Sequence, residues 1–189
     1  MRTQMAGVLC SAVLGLTALS PAAIAQSKTA KADRPVYLSI KEIMESIIDP
    51  SADALWGAVG TVLDKDGTRE LLPTTQEQWV DLRHAAVRII EGANLLMMKD
   101  REAAPPGVRS EAPGVELEGP QMTALIKKNR KAFDAFAKAL QGVGSEALRA
   151  SDGKDGAQLL EVGARMENVC ESCHQTFWYP QAKQASTRK

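Results

Sequence analysis

The sequence predicts an all-α protein that folds as an antiparallel four-helix bundle. Of its 189 residues, 44% are hydrophobic and 24% are charged, which is ordinary for a soluble globular domain. Aromatic residues make up only 4%, so the composition favours helices over strands. Apolar residues recur at helical spacing in four segments of similar length, as is typical of a bundle. Basic and acidic residues balance at 23 each, which argues against a nucleic-acid-binding protein.

The N-terminal segment has the pattern of a secretory signal peptide. A positive charge precedes an apolar run from Met5 to Leu19, and the small residues Ala23-Ile24-Ala25 form a cleavage site. We expect cleavage before Gln26, so that residues 1–25 are the signal and residues 26–189 the domain. An uncleaved anchor is the alternative, although the run is short for a membrane span. Export would place the chain in an oxidising compartment, a bacterial periplasm.

The first predicted helix begins at Ser39, because Ser39 and Glu42 form a capping box. Pro50, in its middle, should kink the helix or restart it with Asp49 as the cap. We expect the helix to end at Asp64-Lys65-Asp66-Gly67. Its apolar and small residues at helical spacing are Ile40, Met44, Ile47, Ile48, Ser51, Leu55, Val59 and Val62.

The second predicted helix begins at Thr74, which forms a capping box with Glu77, and ends near Lys99. Residues 100–120 are rich in proline and glycine, and we expect a loop that is long for a helical bundle. A flexible insertion without a role is the default expectation for this loop. The apolar stripe of the helix consists of Trp79, Leu82, Ala86, Ile89, Ala93 and Leu96.

The third predicted helix spans residues 121–141 and is ended by Gly142 and Gly144. Residues 145–156 are polar and predict a connection with at most one helical turn. The fourth helix is predicted from about Gly156 to Thr176. Its inward face consists of Leu159, Gly163, Met166, Cys170, Cys173 and Phe177.

One motif carries the chemistry of the sequence. Cys170-Glu171-Ser172-Cys173-His174 has the pattern C-x-x-C-H, which is the attachment signal for c-type haem. Two thiols spaced by two residues can reach the two vinyl groups of one porphyrin as thioethers, and the next residue supplies an axial nitrogen to the iron. On a helix, positions 170, 173 and 174 face the same way, here toward the bundle interior.

Two other uses of the cysteine pair are weaker. A thioredoxin-like C-x-x-C motif expects a strand followed by a helix, and the sequence predicts no such strand. A zinc site needs four ligands, and the sequence has no second cluster of cysteine and histidine. The sequence therefore predicts haem c, attached once and covalently.

With this motif in the last of four helices of an exported chain, the protein resembles the class II c-type cytochromes, which include cytochrome c′. The resemblance rests on Cys170, Cys173 and His174 and on the first-helix segment Ile40 to Trp56. It implies a haem in the core at one end of the bundle, with His174 as the proximal ligand. Some members have five-coordinate iron that binds NO or CO, and in others a first-helix methionine is the sixth ligand. Relatives often dimerise through the first two helices, which leaves a homodimer open.

Met44 is the candidate sixth ligand. It lies on the inward stripe near the start of the first helix, where the family has its methionine, and core packing is its alternative role. Met122, at the start of the third helix, is the second candidate. His84 lies fourteen residues before Met98 at the haem end of the second helix, about 21 Å away, so we expect it on the surface.

The sequence thus predicts a periplasmic protein that carries single electrons between redox partner proteins and is not an enzyme. The alternative is a cytochrome c′-like protein that binds NO or CO at an open sixth site, with Met44 packed beside it. A peroxidase-like enzyme would need a polar acid or base near the iron, and His84 lies at the wrong end. Trp56 and Trp79 are expected in the core at that other end. We expect neither a nucleic-acid partner nor a stable membrane span.

Overall fold

The computed structural model describes residues 35–180; the predicted signal peptide and its cleavage site lie outside the described residues. This part is mostly helical with one small two-stranded sheet, so the all-α prediction holds except for that sheet. Within residues 35–180, no helix is long and apolar enough to cross a membrane. The elements are α1 (Ile40–Ile43), a π-helical turn (Met44–Ile48), α2 (Asp49–Trp56), β1 (Gly60–Asp64), β2 (Gly67–Leu71), α3 (Gln76–Leu96), α4 (Gly119–Lys128), α5 (Arg130–Gly153) and α6 (Gly156–Phe177).

The first three helical elements follow one another directly, and we call them the first helical stretch. Ser39 caps it as predicted, because its hydroxyl accepts the N–H of Glu42 and the Glu42 carboxylate accepts the N–H of Ser39. The predicted restart with Asp49 as the cap is wrong: α2 begins at Asp49 itself, and Ile48, in the N-cap position, keeps helical φ and ψ angles of −79° and −55°. The helical path continues through this point and changes type, because the π turn ends at Ile48. Proline has no N–H to donate, and a change of helix type at this point accommodates the missing bond.

The prediction that the first helix continues to Asp64 is wrong. α2 ends at Trp56, and β1 and β2 form an antiparallel hairpin in its place. Gly60 and Gly67 have φ angles of 136° and 117°, which residues with a Cβ rarely adopt. The apolar spacing at Val62 fits a helix, but the two glycines and the β-branched residues between them favour a hairpin.

α3 begins one residue later than predicted. Thr75, not Thr74, is the N-cap, and its partner in the capping box is Gln78 rather than Glu77. The Gln78 side-chain oxygen accepts the N–H groups of both threonines, which selects this register. All six residues of the predicted apolar stripe are buried, including Trp79. His84 is exposed, as predicted.

Gly142 and Gly144 do not end a helix, contrary to the prediction. The helix breaks earlier, at Asn129, and α5 then continues to Gly153. Gly144 lies against α3, where an added Cβ would be only 2.9 Å from Cγ2 of Ile89. Glycine is therefore used here for close packing between helices, and the expected polar connection after residue 145 is helical.

The long helices share one hydrophobic core. α3 contacts α5, α5 contacts α6, and α2 contacts both α3 and α6. α6 has the predicted extent and is capped by Asp155, whose side chain accepts the N–H of Gln158. The largest fully buried side chains in this core are those of Ile43, Ile48, Leu55, Ile89, Leu159, Val162 and Met166.

Candidate functional site

The C-x-x-C-H residues meet at one cavity, which we call cavity 1. Cys170, Cys173 and His174 lie in the last turns of α6, and all three line this space of about 320 Å³. Both thiols are free. The helical spacing thus places the two cysteines and the histidine along one cavity, and the neighbouring helices leave room in front of them.

The wall of cavity 1 is mostly apolar and comes from the first helical stretch, α3, α5 and α6. Four carboxylates, Asp49, Asp53, Glu167 and Glu171, are its charged residues among those described. Cofactor sites are typically cavities of about 300–1,000 Å³ with mainly apolar walls. The apolar part is formed by Met44, Ile48, Ala52, Trp56, Leu96, Phe133, Phe136, Ala137, Leu140 and Val169.

A second space of about 300 Å³, which we call cavity 2, adjoins the first. Residues of the connection between α3 and α4, residues 97–118, form one of its walls. Lys41 and Arg109 also line it. The residues common to both cavities are Met44, Asp49, Phe133, Cys173 and His174.

The connection of residues 97–118 is irregular, as predicted for most of its length, but it is held at defined points. The N–H of Ile40 donates to the carbonyl of Glu102 at 2.9 Å, and the N–H of Leu117 donates to the carbonyl of Trp178 at 2.9 Å. The carboxylate of Glu116 accepts the hydroxyl of Ser110 and two backbone N–H groups. These bonds hold the connection at defined points, in contrast to the expected flexible insertion, and the connection forms a wall of cavity 2.

A buried arginine fixes the start of this connection. Arg101 is 6% exposed, and its guanidinium donates to the carbonyls of Leu38 and Leu95 and to the sulfur of Met98. Burial lowers the pKa of Arg101. Because these neutral acceptors satisfy the guanidinium, Arg101 ties the segment before α1 to the end of α3.

The environment of His174 favours a neutral imidazole. Burial lowers its pKa, and the charges of Asp49 and Glu171 oppose this effect. The ring packs edge-on against Trp178, with 5.0 Å between ring centroids. Tyr179 lies 6.1 Å from the same ring and donates its hydroxyl to Glu171. A neutral imidazole is the form that binds a metal.

The two thiols are protonated in their folded surroundings. Burial raises the pKa of Cys170 to about 11 and that of Cys173 to about 12. Cysteines that exchange disulfides have lowered pKa values and electropositive surroundings. Cys170 and Cys173 have neither, since the charged neighbour that acts most strongly on Cys170 is the carboxylate of Asp49.

Met44 is the methionine that faces this region most fully, because it lines both cavities. Met122 lines cavity 2 alone. The sulfur of Met98 is engaged by Arg101, and Met166 is fully buried in the core. The described structure thus keeps both sequence-derived candidates, Met44 and Met122, near His174.

The sequence analysis missed three wall residues, Trp56, Asp49 and Phe133. The expectation that Trp56 belongs to the core is wrong: it is 37% exposed and lines cavity 1. Its indole N–H donates to the carbonyl of Gly163 at 3.0 Å, and the missing side chain of Gly163 leaves room for the ring. Trp56 is the last residue of α2.

The residues present fit a covalently attached haem. Two free thiols, a neutral imidazole and an apolar cavity large enough for a cofactor occur together, and Cys173 and His174 lie where two cavities adjoin. Within residues 35–180, no three His, Cys, Asp or Glu side chains are grouped so that they could hold a metal ion by themselves. Comparison with protein-family models, curated proteins and solved structures finds no match for this chain.

Proposed function

We propose that the protein is a periplasmic c-type cytochrome of the class II kind, which carries single electrons between redox partner proteins. The observation that carries this proposal is the convergence of Cys170, Cys173 and His174 on one apolar cavity between helices. Cys170 and Cys173 would hold the haem as thioethers, and His174 would be the proximal ligand. We propose no catalytic residue.

The contacts between helices support an antiparallel four-helix bundle around this site. The first helical stretch, α3, α5 and α6 contact one another in a closed cycle, in which α2 touches both α3 and α6. Four helices around one core make such a cycle. Cavity 1 has walls from all four members of this cycle.

The bound haem would supply an iron that alternates between the ferrous and ferric states. The chain's part is to keep the imidazole of His174 neutral and to surround it with apolar side chains. Met44 is the proposed sixth ligand, because its side chain reaches both cavities. A thioether and an imidazole that both stay bound limit the rearrangement that accompanies each electron transfer.

The test is the absorption spectrum of protein matured in cells that attach haem. We expect covalent haem, a low-spin ferric spectrum with a sulfur-to-iron band, and no change when CO is added to the ferrous form. A high-spin spectrum that shifts with CO would instead indicate an open sixth site and a gas-binding protein. Absence of covalent haem in the wild type, or its persistence in the Cys170→Ala, Cys173→Ala double variant, would overturn the proposal.

Two methionine variants test the sixth ligand. Met44→Ala should change the ferric coordination and lower the reduction potential. Met122→Ala is the matched control, because Met122 lines cavity 2 alone and should leave the sulfur-to-iron band in place. If the band disappears with Met122→Ala and survives Met44→Ala, the assignment of the ligand is reversed.

Export is tested on the same material. Sequencing of the N-terminus of the exported protein should begin at Gln26. A chain that retains residues 1–25 on membranes would contradict the cleavage and would support the anchor.

A further inference from the structure

The π-helical turn brings a carboxylate to the wall of the candidate haem site. The N–H of Asp49 donates to the carbonyl of Met44, a bond between residues five apart. In an α-helix, residues five apart point about 140° away from each other. In a π turn the wider loop brings them to the same side. The side chains of Met44 and Asp49 accordingly line both cavities.

Asp49 has no neutralising partner in the described part of the chain. Among the described residues, no lysine or arginine forms an ion pair with its carboxylate. Partial burial raises the pKa of Asp49 from its ordinary value. Lys41, on the same helical stretch, is engaged by Glu45 and Glu111, each at 2.7 Å. The negative charge of Asp49 therefore remains free to act on the space beside His174.

Resting on the proposed function, we infer that Asp49 helps to set the reduction potential of the haem by stabilising the oxidised state. On oxidation, the ferrous iron would pass one electron to a one-electron acceptor protein, and the iron would carry one more positive charge. A carboxylate at the cavity wall attracts that added charge, and this attraction is stronger where the surroundings are apolar. Burial and local charge are among the means by which proteins adjust haem potentials.

The same helix supplies a matched control. Asp53 lies four residues after Asp49, has the same charge, and lines cavity 1 alone. Both side chains are accessible to solvent, so the general, long-range effect of each charge on the haem potential should be similar. A difference between the potential shifts of the two variants is then due to the position of Asp49 beside Met44 and His174.

The experiment is a redox titration of the haem-loaded protein followed by absorbance. Asp49→Asn should raise the potential by about 59 mV, which is a tenfold change in the equilibrium constant of a one-electron couple. Asp49→Ser should raise it as well, whereas Asp49→Glu, which restores the charge, should stay near the wild type. Asp53→Asn should give a clearly smaller shift.

Two outcomes would overturn the inference. One is a shift for Asp49→Asn no larger than that for Asp53→Asn. The other is a shift for Asp49→Glu as large as that for Asp49→Asn, which would assign the effect to shape rather than charge. These failures differ from failure of the proposed function, in which the wild-type protein carries no covalent haem to titrate.

Discussion

Two glycines of α5, two residues apart, should respond in opposite ways to the same substitution. Gly142 is exposed, and an added Cβ there meets nothing within 4 Å. Gly144 is buried against α3, where an added Cβ would lie 2.9 Å from Cγ2 of Ile89 and 3.1 Å from Cγ1 of Ile90. Gly142→Ala should therefore stabilise the protein, and Gly144→Ala should destabilise it.

The size of the difference follows from two effects. Replacing glycine by alanine within a helix contributes about 0.5–1 kcal/mol of stability, and both variants receive this gain. Gly144→Ala also crowds the core, which typically costs about 1–3 kcal/mol. Ile89 is fully buried and branched at Cβ, so its methyl group cannot turn away freely. The free energies of unfolding of the two variants should thus differ by about 1–3 kcal/mol.

Urea denaturation followed by circular dichroism measures this difference, with the two variants prepared in the same way. For a chain of this size, 1 kcal/mol corresponds to about 2–4 °C in Tm, so thermal unfolding provides a second reading. Equal stabilisation of both variants would refute the close packing of α5 on α3. Destabilisation by Gly142→Ala would contradict a continuous α5 and would indicate that a helix ends at Gly142.

Three further predictions concern the site. Phe177→Ala should lower the free energy of unfolding by about 3–5 kcal/mol, because the buried ring packs edge-on against two phenylalanines of α5. A value within about 1 kcal/mol of the wild type would contradict this packing. In folded protein without haem, alkylation of Cys170 and Cys173 at pH 8 should be slower than in protein unfolded by urea. The rate should increase as the pH approaches 11–12, because burial raises the pKa values of the two thiols to about 11 and 12. Equal rates in folded and unfolded protein at pH 8 would contradict burial of the thiols. Trp56→Phe removes one hydrogen bond to α6 and should cost about 0.5–1.5 kcal/mol in urea denaturation, whereas an unchanged midpoint would mean that the bond is not made in solution.

Most helix positions could be predicted from the sequence, because capping boxes and apolar stripes are local signals. The capping box at Ser39, the stripe of α3 and the extent of α6 are examples. The errors arose where one residue type serves two purposes. Glycine ends helices, but at Gly144 it allows two helices to approach closely, and this depends on Ile89 of another helix. No local pattern distinguishes the two uses.

The meeting of Cys170, Cys173 and His174 at one cavity could be predicted, because residues three and four apart on a helix lie on one face. The rest of the wall could not. The sequence pattern predicts a helix cap at Asp49, before Pro50. The position of Asp49 beside Met44 depends instead on a π turn, which has no reliable sequence signature. The sequence pattern predicts a core position for Trp56. Its position at cavity 1 depends on where the hairpin begins and on the contact with Gly163, which lies 107 residues later in the chain.

The hydrogen bond between Leu117 and Trp178 has a consequence for the timing of biogenesis. It joins residues 61 positions apart, and the later one is among the last of the described chain to be synthesised. This bond joins two parts of the wall of cavity 2, since Leu117, Trp178 and Cys173 all line it. If haem is attached as proposed, attachment competes with docking of α6, and the thiols are most accessible before the bond between Leu117 and Trp178 forms. A variant that delays docking without altering the final structure would then mature in higher yield, and one that accelerates it would leave more protein without its cofactor.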